Sequence, residues 1–581
     1  MKVVVIGFSA PSIKFLNLLK KLKFIDNVYI ASSSKDIDTS IIKINPKEFI
    51  QQYWREIDLF IFIGSINIVV RLISPLLVSK DKDPGVIVMD QKGQKIVPLL
   101  GIHQTDAYSI SSKLANLFDG DLVITNNSKF EKLIKLDYFG RNWGWNRSGL
   151  QDSWTNLVIN QSNKREIFVR QSSGNKLWML SEGAKKVNFL SEKDKVIEDD
   201  NTLFISTKSN HSKTWHPPVL WIGIGCEKNT PAKFIQDSLK KLLQKHQLSF
   251  YSIAGIASVD IKKNESALID ISNSNNWPIK FFKSNDLLKV DIPNPSKIVF
   301  DEIGTFSVAE AASLLACGEG GKLLIQKNIF KNNNSNGQSL GAATIAIAES
   351  KKQFSPFKGE IHIIGSGPGD LSFLTNDSKA ALSECVVWIG YEMYLDLLEP
   401  LRRDDQIRIN SQLTQEKQRC VEAIGLAEEG IKVALISSGD SGIYGMAGLL
   451  LELVQKIDSK FRPLFIIHPG ISSLQLAASL AGAPLANDFC AISLSDRLTP
   501  WETIERRVHG AMVGDFVVAI FNPQSKERNW QLRKVINICL NFRKKDTPVL
   551  IARQVGRAKQ NKRLVNLDSI PIDEIDMLTI I

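Results

Sequence analysis

The chain has 581 residues, of which 44% are hydrophobic and 23% are charged. This length exceeds what one hydrophobic core supports and predicts two to four domains, and the composition is typical of a globular protein. No apolar run approaches the roughly 20 residues that cross a bilayer, and the start, MKVVVIGFS, is typical of a buried strand rather than a signal peptide. The six cysteines form no CxxC pair, which argues against disulfides or a zinc site and predicts a cytoplasmic location.

The net charge of +11 is concentrated in the N-terminal part of the chain. Residues 359–581 hold 25 Lys and Arg against 27 Asp and Glu, so the chain totals of 72 and 61 leave 47 against 34 in residues 1–358. A basic region favours an anionic partner, whether nucleic acid, a membrane surface or a small polycarboxylate. A lysine-rich solvated surface explains the excess equally well, because aromatic residues are not interleaved with the basic ones. We therefore expect no nucleic-acid and no membrane partner.

Short runs of Val, Ile and Leu recur along the chain, each ended by glycine and followed by a helical stretch. The clearest are VVVIGFS, DLFIFIGS, VLWIGIG, IHIIGSGPGD, KVALISSGD and FVVAIFNP. Continuous apolar strands of this kind are typical of parallel sheets that helices cover on both faces. The sequence therefore predicts a multidomain α/β fold.

Changes in composition predict the domain boundaries. A stretch rich in Trp, Asn and Ser begins near residue 142, TKSNHSKTWHPP precedes a new strand, and the charged AESKKQFSPFKGE has the composition of a linker. The predicted units are an α/β domain at 1–141, a middle or linker region at 142–217, an α/β domain at 218–350, a linker at 351–358, and a domain at 359–581. The polar stretch KNNNSNGQSLG (Lys331–Gly341) predicts a disordered surface loop.

The first half of the chain offers a few candidate polar residues. Arg71 lies in an apolar segment, where it either meets an anion or extends its stem to solvent. Lys262 and Glu265, in GIASVDIKKNES, follow a strand and suit a charged pair. Ser307 and Glu310 have the spacing of a helix capping box, which favours a structural role for Glu310.

Three loops that contain glycine follow strands in the C-terminal part: the first loop (Gly365–Asp370), the second loop (Ser437–Ala447) and the third loop (His468–Ser473). The first loop, GSGPGD, places its third glycine four residues after the first, not five as in the dinucleotide-binding fingerprint. Pro368 also has no N–H to offer a phosphate. The glycines allow a ligand to approach the backbone closely, so the loops predict a site for a small molecule other than a pyrophosphate.

Seven motifs of residues 359–581 resemble, in order, those of the tetrapyrrole methylase family: GSGPGDLSFLT, SSGDSGIYGMAG, HPGISS, GAPLANDF, ISLSDRLTPWETIERR, FNPQSKERNWQL and TPVLIAR. They are most similar to the branch that methylates C(17) of precorrin-3B or cobalt-precorrin-3 during corrin ring contraction, in vitamin B12 biosynthesis. The resemblance implies two α/β subdomains, S-adenosyl-L-methionine bound in the cleft between them, and a homodimer.

The resemblance also implies which residues serve this site. The expected cofactor contacts are Pro368, Gly439, Asp440, Ile443, Ser472, Ser473 and Asn522. Asp496 and Asp370 are the carboxylates that we expect nearest the substrate, although capping of the following helix explains Asp370 equally well. The arginines that either pair with carboxylates of the substrate or lie at the surface are Arg497, Arg506, Arg507 and Arg528. Methyl transfer needs proximity and exclusion of water, and we expect no bound metal.

The first half resembles the cobalt-precorrin-5A hydrolase family in WIGIGCEKNTPAKFI, GIASVDIKKNES and PNPSKIVFDEIGTFSVAEAASLLA. That family opens a lactone left by ring contraction and releases acetaldehyde. Relatives usually read GHHGGAN where this chain reads GIHQTDA, so His103 remains but the glycine pair and the Asn do not. The resemblance implies His103 as the base, Lys262 and Lys327 as charge stabilisers, and Glu265 as the pair of Lys262.

The two resemblances together predict a bifunctional enzyme of corrin biosynthesis. Both activities act on one anionic corrinoid, which we expect to be cobalt-bound. Two alternatives stay open. The first half is a non-catalytic module that binds corrinoids, or the chain is an RNA- or protein-modifying methylase whose basic half clamps RNA.

Overall fold

A computed structural model describes the chain except for residues 23, 33–40, 80–81, 102–106, 119, 124–132, 192–193, 195–199, 334–338, 355–358, 460–461, 498 and 526–529. The described residues form α/β domains in the predicted fold class. Among them, no helix is long and apolar enough to span a membrane.

The first domain is a seven-stranded sheet in the order β3-β2-β1-β4-β5-β6-β7, parallel except where β6 pairs with β5. Its strands are β1 (Val3–Gly7), β2 (Asn27–Ala31), β3 (Ile42–Ile44), β4 (Leu59–Ile63), β5 (Gly85–Met89), β6 (Lys95–Leu100) and β7 (Asp121–Leu122). Its helices are α1 (Ile13–Leu19), α2 (Pro46–Tyr53), α3 (Ile66–Ile73) and α4 (Ala107–Leu117). Separate apolar clusters cover the two faces, so the apolar strands are buried on both sides. Arg71, on α3, is exposed, as the solvent alternative predicts.

The second domain has a sheet of its own in the order β10-β9-β11-β12-β8, with only β8 antiparallel. Its strands are β8 (Asn146–Ser148), β9 (Phe168–Gln171), β10 (Asn188–Leu190), β11 (Thr202–Ile205) and β12 (Thr214–His216), and its helix is α5 (Gln151–Ser162). Five tryptophans that are at most 2% exposed dominate its core: Trp143, Trp145, Trp154, Trp178 and Trp215. The segment predicted as a middle or linker region is therefore folded around an aromatic core.

The third domain is a mixed sheet in the order β15-β14-β13-β17-β16. Its strands are β13 (Leu220–Cys226), β14 (Ile253–Val259), β15 (Ile279–Phe282), β16 (Lys322–Asn333) and β17 (Ser339–Glu349). Its helices are α6 (Ala232–Lys245), α7 (Ser266–Asn275), α8 (Ser284–Leu287), α9 (Lys297–Ile303) and α10 (Ala309–Cys317). The β16–β17 hairpin extends into Lys331–Gly341, so the prediction of a loop is wrong at both ends of that stretch. Pairing between the strands overrides the polar composition there.

The fourth domain begins with a parallel sheet in the order β20-β19-β21-β18-β22. Its strands are β18 (Glu360–Gly365), β19 (Val387–Tyr391), β20 (Ile407–Ser411), β21 (Val433–Ser437) and β22 (Leu464–His468). Its helices are α11 (Asn376–Glu384), α12 (Glu392–Leu398), α13 (Glu416–Glu428) and α14 (Ala447–Val454). Strands β18, β19 and β21 are almost entirely buried.

A second subdomain completes the fourth domain, as the resemblance implies. Its strands are β23 (Phe489–Ser493), β24 (Val517–Phe521), β25 (Pro548–Arg553), β26 (Asn561–Asn566) and β27 (Thr579–Ile580). Its helices are α15 (Ser473–Ala481), α16 (Trp501–Val513) and α17 (Gln531–Leu540). Strands β23 and β24 are parallel, and β25 pairs antiparallel with β26 and β27.

One buried side chain joins three parts of the chain. The amide oxygen of Gln353 accepts hydrogen bonds from the Trp145 indole at 2.7 Å and from the Asn175 backbone N–H at 3.3 Å. Its amide nitrogen donates to the carbonyls of Trp143 at 2.7 Å and Glu429 at 3.1 Å. Gln353 thus ties the predicted linker to the second domain and to the end of α13.

Candidate active site

The three glycine-containing loops meet at one edge of the parallel sheet. They follow β18, β21 and β22, which are neighbours in the order β21-β18-β22 and therefore end side by side. The N–H of Gly367 donates to the carbonyl of Gly439 at 3.1 Å, and the N–H of Gly439 donates to the carbonyl of Gly367 at 2.8 Å. The Asp440 carboxylate accepts from the N–H of Gly470 at 3.0 Å. These bonds hold the three loops in one arrangement.

Glycine is required where the loops touch. A Cβ on Gly470 would lie 2.1 Å from the carbonyl oxygen of Gly439, and one on Gly365 would lie 2.6 Å from the nitrogen of Gly470. Gly439 itself has a φ of +65°, yet the nearest atom to its ideal Cβ position is 3.7 Å away. The backbones are in close contact at Gly365 and Gly470, whereas a Cβ at Gly439 would make only ordinary van der Waals contacts.

The second loop reaches from the parallel sheet to the second subdomain. The Tyr444 hydroxyl donates to the carbonyl of Ala491 in β23 at 2.7 Å, and its ring lies 5.2 Å from Phe521. Ile443 is 40% exposed although it is apolar, and the buried hydroxyl of Ser441 has no hydrogen-bond partner among the described residues. An exposed apolar side chain and an unpartnered buried hydroxyl in one loop are what a bound ligand would satisfy.

The structure places six of the seven predicted cofactor contacts on these loops: Pro368, Gly439, Asp440, Ile443, Ser472 and Ser473. Ser472 caps α15, where its side chain and that of Gln475 form a capping box. The seventh, Asn522, follows β24 in the second subdomain with a φ of +49°, and its amide donates to the Ser493 hydroxyl at 3.0 Å. The predicted contacts therefore come from both subdomains, and their cofactor roles stay predictions.

The two predicted substrate carboxylates have different surroundings. Asp496 follows β23, and its carboxylate accepts from the amide of Gln531 on α17 at 3.0 Å. Asp370 is exposed, and its carboxylate accepts from the N–H of Ser372 at 2.8 Å, which caps the short turn after the first loop. Hydrogen bonds from Ser372 lower the pKa of Asp370. Arg497, Arg506 and Arg507 are exposed, and Arg528 lies outside the described residues.

Sequence reasoning missed a chain of four hydrogen-bonded side chains, in which the two histidines are buried and Asp377 is exposed. Three hydrogen bonds join Glu360 to His362 at 3.1 Å, His362 to His468 at 2.9 Å, and His468 to Asp377 at 2.5 Å. His468 immediately precedes Pro469 and Gly470. The signal in the sequence was a histidine within the apolar run IHII and a second one closing LFIIH.

The hydrogen bonds of these four side chains favour the ionised form of the two carboxyls. Ionised carboxylates only accept, so each of the three bonds requires a proton on an imidazole nitrogen. The hydrogen bond from His362, aided by the charge of Lys432, lowers the pKa of Glu360 to about 2 although burial raises it. The hydrogen bond from His468 likewise lowers the pKa of Asp377.

In the third domain, the predicted pair of Lys262 and Glu265 is present. Their charged atoms are 3.1 Å apart and their side chains are 17% and 8% exposed. Glu265 also accepts from the N–H of Asn229 at 2.9 Å. Burial raises the pKa of the neighbouring Cys226 thiol to about 11, so Cys226 is a neutral thiol at physiological pH. His103, the predicted base, lies outside the described residues.

The expected capping box at Ser307 and Glu310 is only half formed. The Ser307 hydroxyl accepts from the N–H of Glu310 at 3.4 Å, but α10 begins after Val308 with no side-chain cap. The buried Glu310 carboxylate instead accepts from the amide of Asn294 at 2.8 Å and from the N–H of Lys327 at 2.9 Å. A buried carboxylate needs such partners, and they draw it away from the helix end.

Comparison with known proteins identifies these domains. Residues 360–571 match the family model described as tetrapyrrole (corrin/porphyrin) methylases. A probable cobalt-factor III C(17)-methyltransferase of Salmonella typhimurium is 41% identical over 223 residues, which are 38% of this chain and 90% of that protein. The chain belongs to the tetrapyrrole methylase family. Residues 48–129 and 220–348 match models described as the N-terminal and C-terminal parts of cobalamin synthesis G, so the predicted fusion is confirmed.

Two relatives from Priestia megaterium resemble the two parts of this tetrapyrrole methylase. A cobalt-factor III methyltransferase is 43% identical over 224 residues, which are 38% of this chain and 41% of that protein. A cobalt-precorrin-5A hydrolase is 29% identical over 280 residues, which are 46% of this chain and 75% of that protein. The matched segment thus spans less than half the length of the first of these relatives.

Tetrapyrrole methylases use S-adenosyl-L-methionine, and the three loops fit this cofactor. The buried Ser441 hydroxyl has no hydrogen-bond partner among the described residues, and the apolar Ile443 side chain is exposed, so both are available to a ligand. When bound, the cofactor supplies a methyl group made electrophilic by its sulfonium.

Proposed function

We propose that this protein is a bifunctional enzyme of corrin biosynthesis. Its C-terminal domain would methylate C(17) of precorrin-3B or cobalt-precorrin-3 with ring contraction. Its first half would open the lactone of cobalt-precorrin-5A with loss of acetaldehyde. The meeting of the three loops at one sheet edge, in a chain that also matches both parts of cobalamin synthesis G, carries the proposal.

For methyl transfer, the protein's own contribution is orientation and exclusion of water. Gly367, Gly439 and Gly470 hold the loop backbones in register, and Tyr444 spans from the second loop to the second subdomain. Asn522 follows β24 and is proposed to orient the ligand from the second subdomain. Its side-chain amide donates a hydrogen bond to the Ser493 hydroxyl of β23, which fixes its position. A ligand held between these elements meets its co-substrate at short range, which accounts for much of the rate of such a transfer.

Asp496 is the proposed carboxylate at the substrate. The amide of Gln531, which is 2% exposed, fixes one of its oxygens. We expect D496N to lower kcat for methyl transfer at least tenfold while the affinity for S-adenosylhomocysteine stays unchanged. Glu502, on the first turn of α16, is exposed, and E502Q is the matched control. Wild-type kcat in D496N would exclude this role.

For lactone opening, Lys262 is the proposed stabiliser of the oxyanion. Water adds to the lactone carbonyl and the acyl C–O bond breaks, which leaves a carboxylic acid and an alcohol on the two-carbon unit. The alcohol then loses its proton and becomes the aldehyde C=O as the C–C bond to the macrocycle breaks, and the electron pair of that bond stays on the macrocycle. The ammonium of Lys262 would lower the energy of the charge that develops on the carbonyl oxygen, and Glu265 would position it. His103 is the proposed base for the attacking water.

An acetaldehyde assay tests the hydrolase half directly. The full chain is given cobalt-precorrin-5A, and we expect acetaldehyde from the wild type and at least about a hundredfold less from K262M. The neighbouring Lys263 is exposed, so K263M is the control and should match the wild type. No acetaldehyde from the wild type would reduce the first half to a module that binds corrinoids.

We further propose that the protein is a cytoplasmic homodimer through its methylase domain. The six cysteines are free, which suits a reducing compartment. Sedimentation of the purified protein tests the dimer, and a monomer at micromolar concentration would contradict it.

A further inference from the structure

A half-buried arginine lies where the two subdomains of the fourth domain meet. Arg557 belongs to the turn between β25 and β26 of the second subdomain. This turn packs closely on the first loop, since a Cβ on Gly369 would lie 2.4 Å from the carbonyl oxygen of Gly556 and 2.6 Å from Cγ of Arg557. The Nε–H of Arg557 donates to the carbonyl of Pro368 at 3.4 Å. The guanidinium is therefore held beside the loop that follows β18.

The guanidinium of Arg557 has only weak acceptors around it. Its bond to Pro368 is long, and one terminal nitrogen contacts the thioether sulfur of Met393 at 3.0 Å. The cation also lies 6.0 Å from the centre of the Tyr394 ring. Among the residues that the structure describes, Arg557 forms no ion pair with a carboxylate. Because a guanidinium has five N–H donors, most of its hydrogen-bonding capacity is left for an anionic ligand.

Two tyrosines form an aromatic surface next to Arg557. Tyr391 ends β19 and Tyr394 follows on α12, and their rings meet edge to face with centroids 5.2 Å apart. Because β19 neighbours β21 in the parallel sheet, the rings lie at the same sheet edge as the second loop. Burial raises the pKa of Tyr394, although the charge of Arg557 opposes this, so the hydroxyl stays neutral at physiological pH. An uncharged aromatic surface beside a guanidinium suits a flat apolar ring that carries carboxylates at its edge.

Two carboxylates of this region already have partners of their own. Asp370, the last residue of the first loop, accepts hydrogen bonds from the Ser372 N–H at 2.8 Å and from the Ser372 hydroxyl at 2.6 Å. Glu416, on α13, pairs with Arg419 at 3.1 Å, and the Arg419 side chain is 4% exposed. The Arg419 Nε has no hydrogen-bond partner among the described residues, so Glu416 leaves no surplus of negative charge there. Neither carboxylate compensates the charge of Arg557.

We propose that Arg557 binds a peripheral carboxylate of the tetrapyrrole substrate and so determines which substrates the methylase domain accepts. This inference rests on the proposed function and deepens it, because it names a residue that recognises the anionic edge of the substrate. The guanidinium donates two parallel hydrogen bonds to the carboxylate, and the ring packs against Tyr391. Since the turn that carries Arg557 contacts the first loop, the bound carboxylate holds the ring beside the cofactor loops. A tetrapyrrole whose carboxyls are amidated loses this contact.

Calorimetric titration of the full chain, saturated with S-adenosylhomocysteine, tests this contact without turnover. Dicyanocobyrinic acid carries free carboxylates on a corrin ring, and dicyanocobinamide carries the same ring with amides in their place. We expect the wild type to bind the acid at least about tenfold more tightly than the cobinamide, and R557Q to lose about tenfold in affinity for the acid only. R557K keeps the charge but not the planar fork, so its affinity should lie between the two. Lys559 is exposed two residues later, and K559Q should bind as the wild type does.

The outcomes separate recognition of the substrate from support of the first loop. Wild-type affinity of R557Q for the acid would overturn the proposal, as would a wild type that does not distinguish the acid from the cobinamide. A parallel loss of affinity for S-adenosylhomocysteine in R557Q would overturn it too, because Arg557 would then only hold the first loop in place. If R557Q fails to fold, R557K decides, and its wild-type affinity for the acid would count against the contact. Methyl transfer by the unmodified chain is measured separately, so failure of the proposed function is not confused with failure of this contact.

Discussion

Three hydrogen bonds join Glu360, His362, His468 and Asp377 in a chain that runs from the first residue of β18 to the last residue of β22, where the third loop begins. The ammonium of Lys432 lies 3.0 Å from Glu360 and adds to its ionisation. The chain links the ionisation of two carboxylates to the stability of the pair β18 and β22, which lead into the first and third loops.

The depressed pKa of Glu360 predicts how stability varies with pH. The carboxyl is shifted from 4.5 to about 2, so its contribution is fully present above pH 4.5 and is lost as the pH falls through about 2. We expect E360Q to lower the free energy of unfolding by roughly 1–3 kcal/mol at pH 7, a range that allows for screening by solvent at the partly exposed Glu360. The difference in stability between E360Q and the wild type should shrink below about pH 4. Denaturant unfolding at several pH values measures this.

The matched control for this series is E452Q, since Glu452 is exposed on α14. Its difference from the wild type should be within about 0.5 kcal/mol at every pH. A difference between E360Q and the wild type that does not change between pH 7 and pH 3 would contradict the linkage.

The contact between loops predicts that G470A loses the cofactor. Its methyl group would overlap the carbonyl oxygen of Gly439 and push the second and third loops apart. We expect at least tenfold weaker binding of S-adenosylhomocysteine by calorimetry. Gly425, on α13, has no atom within 4 Å of its ideal Cβ position, so G425A should bind normally and gain about 0.5–1 kcal/mol of stability. Normal binding by G470A would show that the loops tolerate separation.

At the scale of elements, the long apolar strands were predictable because burial on both faces requires continuous apolar runs ended by glycine. The second domain was not predictable as a domain, since its strands have three or four residues. Its core tryptophans are scattered between Trp143 and Trp215 and meet only in the fold. The candidate site was likewise predictable only in part. The three loops were predictable from local motifs, whereas the pairing of His362 with His468, 106 residues apart, was not.

Gln353 predicts a coupling between elements. Q353A would leave the Trp145 N–H and two backbone carbonyls buried without their partner, at a cost of about 2–4 kcal/mol. Denaturant unfolding monitored by tryptophan fluorescence measures this loss. Lys351 is exposed two residues earlier, and K351A is the control. Equal stability of the two variants would show that the linker does not hold the domains together.

At the scale of the whole molecule, the domains are joined by buried contacts in addition to the chain itself. Helix α4 of the first domain packs on α11 of the fourth, where Lys113 and Glu384 form an ion pair at 2.9 Å. The basic excess lies in the first three domains, and the methylase domain is close to neutral. Under the proposed function, an anionic intermediate released by the methylase domain would be attracted to the rest of the same molecule.

Methyl transfer in a single turnover tests the central claim most directly. The purified full chain is incubated with cobalt-precorrin-3 and S-adenosyl-L-methionine labelled in its methyl group, and the tetrapyrrole is analysed by mass spectrometry. We predict one labelled methyl group at C(17) of a ring-contracted product, and its loss in G470A but not in G425A. An unlabelled tetrapyrrole from the wild-type protein, under conditions where S-adenosylhomocysteine binds, would contradict the proposed substrate and reaction.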